Sequence, residues 1–171
     1  MTVTASAAPP ELLGRAWEAV RSVPDPEIPV LSVVDLGLVR TLEVAADGRV
    51  RLGVSPTYSG CPATAMIRRA LVEALHAAGF AHVAAHDELS PPWTSDWITD
   101  EGREKLRAYG IAPPARAVRS PRAMLQHEPQ VACPRCGSLA TERLSEFGST
   151  PCKALYRCSG CREPFDYFKC L

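Results

Sequence analysis

The first part of the chain combines a helical pattern of apolar residues with two strand-like patterns. A helix is predicted from Pro10 to the residues before Pro24, because apolar residues recur at helical spacing and proline cannot continue a helix. Its apolar stripe consists of Leu13, Trp17, Val20 and Val23. Two runs with apolar residues at every second position then flank Asp47-Gly48, which predicts a β-hairpin with one buried face.

Helical spacing returns after Pro62, which is well placed as the first residue of a helix, and Gly79 is suited to ending that helix. The side chains expected on its buried face are Met66, Ile67, Ala70, Leu71, Leu75 and Ala78. A third strand is predicted within residues 80–89, and a last helix, capped by Thr99, within residues 100–109. The resulting order, α-β-β-α-β-α, predicts a small domain of the α/β (α+β) class.

The end of the chain is rich in cysteine, with six of the seven cysteines in the last 39 residues. Cys133 and Cys136 form one C-x2-C pair, and Cys158 and Cys161 form a second pair after 21 intervening residues. Two such pairs give the tetrahedral four-thiolate site that zinc prefers. Because protein ligands fill all four positions, one structural Zn²⁺ per chain is expected. Iron in a rubredoxin-like site would fit the same ligands.

Cys152 and Cys170 are the other two cysteines of this segment, and three interpretations of them stay open. They can be reduced thiols that pack the module, ligands of a second thiolate site, or members of a different set of four ligands. The segment before the module, residues 111–130, has four prolines and no sustained periodicity, which indicates a linker. The predicted organisation is therefore a domain at 10–110, a linker at 111–130 and a zinc-ribbon-like module at 131–171.

Composition narrows the function classes. The chain has 19 basic and 19 acidic side chains, and this neutral balance argues against a nucleic-acid binder or an anionic-membrane binder. No run of about 18 apolar residues is present, so no membrane span is expected. The start of the chain lacks the pattern of a secretory signal, and the expected location is the cytoplasm.

Cys61 stands apart from the other cysteines, where a predicted strand leads into a helix. Three roles are open for it: an inert cysteine at a helix start, a ligand of iron or an iron–sulfur cluster, and a nucleophile. The nucleophile role lacks partners, because Arg68 is one position too far for a C-x5-R phosphatase loop and Thr64 replaces the second cysteine of a thioredoxin-like site. Hydroxyl groups of Thr57 and Ser59 could donate hydrogen bonds to a thiolate or to sulfides.

Two segments resemble the MIP18, or DUF59, family of iron–sulfur assembly factors: DPEIPVLSVVDLGLV at 25–39 and TYSGCP at 57–62. Residues 91–114 and 147–170 are similar to the PaaD branch, whose members are encoded with the multicomponent monooxygenase that epoxidises the ring of phenylacetyl-CoA. The resemblance implies a domain with a three-stranded mixed sheet and packed helices, followed by a zinc-ribbon-like tail.

The same resemblance implies that Cys61 handles iron or an iron–sulfur cluster, with Thr57, Asp25 and Glu27 as further site residues. The implied function is an accessory role, without independent catalysis. The protein would deliver iron or a cluster to the oxygenase or to its ferredoxin-type reductase. A homodimer or the client would supply the remaining ligands. The alternative is a non-catalytic structural subunit of the monooxygenase.

Overall fold

The computed structural model describes residues 9–58, 60–115 and 130–169, and the chain divides into two compact units between Trp93 and Thr94. The second unit therefore takes in the last helix as well as the cysteine-rich tail, whereas the pattern along the sequence ended the first domain at residue 110. Residues 116–129 of the expected linker lie outside the described residues. The domain limits 10–110, 111–130 and 131–171 stay a prediction.

The first unit contains a mixed three-stranded sheet. Its elements are α1 (Pro10–Arg21), β1 (Val39–Val44), β2 (Val50–Val54), α2 (Ala63–Ala77) and β3 (Val83–Asp87). The strand order is β1-β2-β3, with β1 antiparallel and β3 parallel to the central strand β2. This arrangement confirms the α+β fold class and the mixed sheet that the family resemblance implied.

The hairpin forms where the sequence predicts it. Val44 pairs with Val50 across the turn, and Gly48 has a φ of 81°, a backbone conformation that glycine adopts without strain. Along β2 the side chains of Val50, Leu52 and Val54 are all buried, as period-two alternation requires for one face of a sheet.

The two helices of the first unit bury narrower faces than their apolar residues suggested. The core positions of α1 are Ala16 and Val20, while Leu13 is 37% exposed. In α2 the buried residues are Ala63, Ile67, Leu71 and Leu75. Met66, predicted to be buried, is 62% exposed.

The second unit is built on a four-stranded sheet in the order β4-β7-β6-β5. Its strands are β4 (Ile111–Ala112), β5 (Thr141–Ser145), β6 (Lys153–Cys158) and β7 (Pro164–Phe168), preceded by a 3₁₀ turn at Ser95–Trp97 and by α3 (Asp100–Tyr109). Thr99 caps α3 as predicted, since its Oγ1 accepts a hydrogen bond from the Gly102 N–H at 2.9 Å. Strand β4 pairs with β7, so the first two residues of the expected linker belong to this sheet.

Apolar side chains fill this small sheet: its buried cluster includes Val131, Ala154, Tyr156, Phe165 and Tyr167 together with two cysteines. None of the described helices is long and apolar enough to cross a membrane.

Candidate functional site

The four cysteines of the two C-x2-C pairs converge in the second unit. The sulfur atoms of Cys133, Cys136, Cys158 and Cys161 all lie within 4.8 Å of one another. Two of the contacts join the pairs, with Cys133 Sγ 3.7 Å from Cys161 Sγ and Cys136 Sγ 3.6 Å from Cys158 Sγ. These distances exclude disulfide bonds, in which sulfurs are about 2.05 Å apart.

The spacing of the sulfurs fits a tetrahedral metal ion. Four Zn–S bonds of about 2.3 Å at tetrahedral angles would hold the sulfurs about 3.8 Å apart, close to the two contacts between the pairs. A zinc ion bound by these four thiolates would have no open position for water, and its chemistry would be purely structural.

The two cysteine turns have matching backbone geometry. Gly137 N–H donates to the Cys133 carbonyl and Arg162 N–H donates to the Cys158 carbonyl, each at 2.9 Å. The residue after each second cysteine has a positive φ, 73° at Gly137 and 67° at Arg162. We expected glycine at both special positions from the sequence, with Gly160 in the second turn. The structure has that conformation at Arg162 instead.

Hydrogen bonds to sulfur prepare one of these thiols for metal binding. The Cys161 N–H donates to Cys158 Sγ at 3.5 Å and, with further help from the Cys136 side chain, lowers the pKa of Cys158 to about 6. At Cys161 a backbone hydrogen bond with Glu163 acts to lower the pKa. Burial and the neighbouring sulfurs outweigh it and raise the pKa to about 12. Crowded thiols resist losing all their protons until a cation neutralises the thiolates.

Cys152 does not belong to this four-sulfur cluster in the part of the chain that the structure describes. Its side chain is buried, and its sulfur lies 3.0 Å from Thr150 Oγ1. This environment agrees with the interpretation of Cys152 as a packing thiol. Cys170 lies outside the described residues.

Cys61 lies on the loop that connects β2 to α2, and its side chain is partly exposed. The loop turns at Gly60, which has a φ of 88°, and the Cys61 N–H donates to the Tyr58 carbonyl at 3.2 Å. Helix α2 has no side-chain cap and no acidic residue in its first turn. The partial positive charge of a helix N-terminus therefore lies directly after the cysteine, an environment that favours anions.

The acidic connector forms its own local hydrogen bonds. Asp25 is buried, and its Oδ1 accepts hydrogen bonds from the backbone N–H groups of Glu27 and Ile28, both at 2.8 Å. Asp35 acts similarly: its Oδ2 accepts from the Ser32 N–H at 2.9 Å, while Ser32 Oγ accepts from the Asp35 N–H at 3.0 Å. Both carboxylates therefore hold turns in place, whatever further role they have.

Within the described ranges, the four tail cysteines are the one group of three or more His, Cys, Asp or Glu side chains at metal-binding distances. The structure does not place Cys61, Asp25 and Glu27 in such a group. Ser59 lies outside the described residues. The cofactor-binding roles of Cys61, Thr57, Asp25 and Glu27 stay predictions.

Comparison with known proteins identifies the family. A family model described as the PaaD zinc beta ribbon domain matches residues 117–169, and one described as an iron–sulfur cluster assembly protein matches residues 15–84. An Escherichia coli (strain K12) protein, provisionally named as one of the subunits of 1,2-phenylacetyl-CoA epoxidase, is 52% identical over 167 residues, covering 98% of each chain. The chain belongs to the PaaD family.

Two further likenesses concern the PaaD chain's first part. An Fe–S protein maturation auxiliary factor of Porphyromonas gingivalis is 37% identical over 90 residues, which are 51% of this chain and 83% of that protein. The crystal structure of a DUF59 domain from Bacillus anthracis covers 56% of this chain and 92% of its own, with a TM-score of 0.52 at 19% identity. The second likeness supports the fold.

One buried polar group of the PaaD chain was not anticipated from the sequence. Ser55 follows β2 directly, at the start of the segment that leads to Cys61, and it is 1% exposed. Its hydroxyl has no hydrogen-bond partner among the described residues, which is uncommon for a buried side chain. A single serine after a strand carries no sequence signal that separates it from an ordinary turn residue.

Substitutions at Asp25 distinguish a turn-forming role from a charge-dependent role. We expect Asp25→Ala to lower the free energy of unfolding by about 1–3 kcal/mol, because two backbone N–H groups of the connector lose their acceptor. Asp25→Asn keeps an oxygen at Oδ1 and removes the charge, so it should cost less than half as much. Urea denaturation followed by circular dichroism measures both. Equal losses for the two variants would show that the charge itself holds the connector.

Proposed function

We propose that this PaaD-family protein is an accessory maturation factor that carries iron or an iron–sulfur cluster on Cys61. Its clients would be the oxygenase or the ferredoxin-type reductase of a phenylacetyl-CoA epoxidase. The observation that carries this proposal is the partly exposed thiol of Cys61, on the β2–α2 loop, inside the segment that matches the iron–sulfur cluster assembly model. The similarity of nearly the whole chain to the E. coli epoxidase protein supports the choice of client.

The chemistry of this position suits a carrier. Thiolate is a soft ligand, which iron in iron–sulfur clusters prefers, and the start of α2 favours the negative charge of a sulfide-containing cluster. A single protein sulfur holds its cargo less firmly than four fixed thiolates would. A second copy of the chain or the client itself would complete the coordination, and exchange of those ligands would release the cargo.

In this proposal the tail plays a different part. The four thiolates of Cys133, Cys136, Cys158 and Cys161 hold one structural Zn²⁺, and the PaaD zinc beta ribbon model matches the residues that contain them. Because that site has no open position, it would neither exchange cargo nor act on a substrate. No catalysis by the protein itself is part of the proposal.

The test compares clients produced with and without this protein. We expect oxygenase or reductase made in its absence to contain markedly less iron per chain and to epoxidise phenylacetyl-CoA at a correspondingly reduced rate. Cys61→Ser should reproduce the loss seen on deletion, and Cys152→Ala, which also removes one thiol, should behave like the wild type. Iron content by elemental analysis and epoxidation rate are the readouts. Full metallation of clients by the Cys61→Ser protein would refute the carrier role.

A structural subunit is the second candidate, because the E. coli relative is named as a subunit of the epoxidase. In that case fully metallated, purified clients would still require this protein in stoichiometric amounts during turnover. Adding it to such clients, and measuring whether the epoxidation rate changes, separates the two candidates.

A further inference from the structure

The first unit has a groove of about 990 Å³ at the hairpin end of its sheet. Its walls come from α1, from both strands of the hairpin, from the end of α2 and from the start of β3. Apolar side chains that line it include Leu13, Leu42, Val44 and Val83. This volume is within the usual range of small-molecule sites, which are apolar pockets with a few polar groups.

The apolar lining is reachable from solvent. Leu13 belongs to the apolar stripe of α1 but is 37% exposed, and Leu42 and Val83 are partly buried. Ala81 lies beside them and is exposed. An apolar ligand placed here would remove these side chains from water and would gain the corresponding hydrophobic free energy.

Basic side chains form the rim. Arg49, Arg51, His76 and His82 all line the groove, against one acidic residue, Glu43. The rim is therefore richer in hydrogen-bond donors and in cationic groups than in acids, although the chain as a whole is neutral.

The arginines can donate further hydrogen bonds. Arg49 Nε lies 2.7 Å from Asp47 Oδ2, and the Arg51–Glu43 pair is longer, at 3.3 Å, with side chains that are 70% and 60% exposed. A guanidinium has five N–H donors, and exposed ion pairs are weak, so an incoming anion can compete for both arginines.

The ring of His76 is oriented by the backbone. Its Nδ1 lies 2.8 Å from the Phe80 carbonyl, which can only accept, so the proton is on Nδ1. This hydrogen bond fixes the ring at the groove wall.

We propose that this groove binds a small amphiphilic anion. The apolar body of the ligand, a chain or ring of roughly six to ten carbons, lies on the apolar lining, and its carboxylate or phosphate head contacts Arg49 and Arg51. The site does not include Cys61 and is independent of the carrier role proposed above.

Calorimetric titration of the full chain tests the proposal with octanoate, octyl phosphate, octanol and acetate as probes. We expect octanoate or octyl phosphate to bind at least tenfold more tightly than octanol, and the tighter of the two identifies the head group. Acetate should not bind. Hexanoate should bind about tenfold more weakly than octanoate, because each buried CH₂ changes affinity about fourfold. Equal affinity for octanol and the two anions would overturn the role of the rim.

Variants locate the site. Ala81→Trp, which places a ring into the groove from an exposed position, should abolish octanoate binding, and Arg49→Gln should weaken it about tenfold. Arg69→Gln is the matched control, because Arg69 is an exposed, ion-paired arginine on α2 that does not line the groove. Cys61→Ser should bind octanoate as the wild type does. Unchanged affinity in Ala81→Trp, or a change in oligomeric state in place of saturable binding, would overturn the proposal.

Discussion

Replacing Cys158 with serine is expected to abolish metal binding by the tail and to unfold its four-stranded sheet. Cys158 ends β6, is fully buried, and lies 3.6 Å from the sulfur of Cys136. Structural zinc contributes about 10–16 kcal/mol to modules of this kind, whereas whole domains are stable by only about 5–15 kcal/mol. Elemental analysis should show zinc falling from about one ion per chain to almost none. Hydrogen exchange should become fast throughout β6 and β7.

The matched control is Cys152→Ser, in the same sheet. Cys152 is buried but lies outside the four-sulfur cluster, so this variant should keep one zinc per chain. Undiminished metal in Cys158→Ser would contradict the assignment of the ligands. Loss of metal in Cys152→Ser would point to a different set of four cysteines. The same analysis decides between zinc and iron.

The features that the sequence predicted best depend on local rules. The hairpin follows from Asp47-Gly48 between alternating runs, the start of α3 from the Thr99 cap, and the metal cluster from two short cysteine spacings. In each case a few neighbouring residues determine the backbone conformation, and more distant parts of the chain only have to accommodate it.

Coverage of side chains depends on the partner surface and was predicted less well. Helical spacing correctly identified apolar faces on α1, α2 and α3, but Leu13, Met66 and Tyr109 on those faces are exposed. Periodicity shows which side of a helix is apolar, and it does not show how wide the opposing surface is. The two-residue strand β4 was missed for a related reason, because its pairing partner β7 lies more than 50 residues later in the sequence.

The candidate sites divide in the same way. Closely spaced cysteines predict their own cluster, whereas the proposed site at Cys61 depends on residues from separate loops. The local hydrogen bonds of Asp25 show why an acidic connector can have a turn-forming role that its sequence does not distinguish from a metal-binding role. Ser55 is a similar case, since its unpartnered hydroxyl is a property of the fold around it.

Replacing Trp93 with alanine is expected to cause the largest loss of stability among substitutions in the first unit. The Trp93 ring is 5% exposed, and its Nε1 donates to the Leu36 carbonyl at 2.9 Å, across 57 residues of sequence. Truncating a buried aromatic side chain costs about 3–5 kcal/mol, and the buried carbonyl of Leu36 would also lose its donor. Urea denaturation followed by far-ultraviolet circular dichroism should show a loss of about 3–5 kcal/mol.

Trp93→Phe separates the two contributions of the indole. Phenylalanine keeps most of the apolar volume and removes the N–H group, so this variant should lose about 1–3 kcal/mol, clearly less than alanine. Because Leu36 belongs to the same connector as Asp25 and Asp35, the weakened contact should also speed hydrogen exchange in residues 24–37 under native conditions. A loss below about 1 kcal/mol in Trp93→Ala would show that the ring is not part of the core. A connector that stays equally protected from exchange in both variants would show that the indole does not hold it.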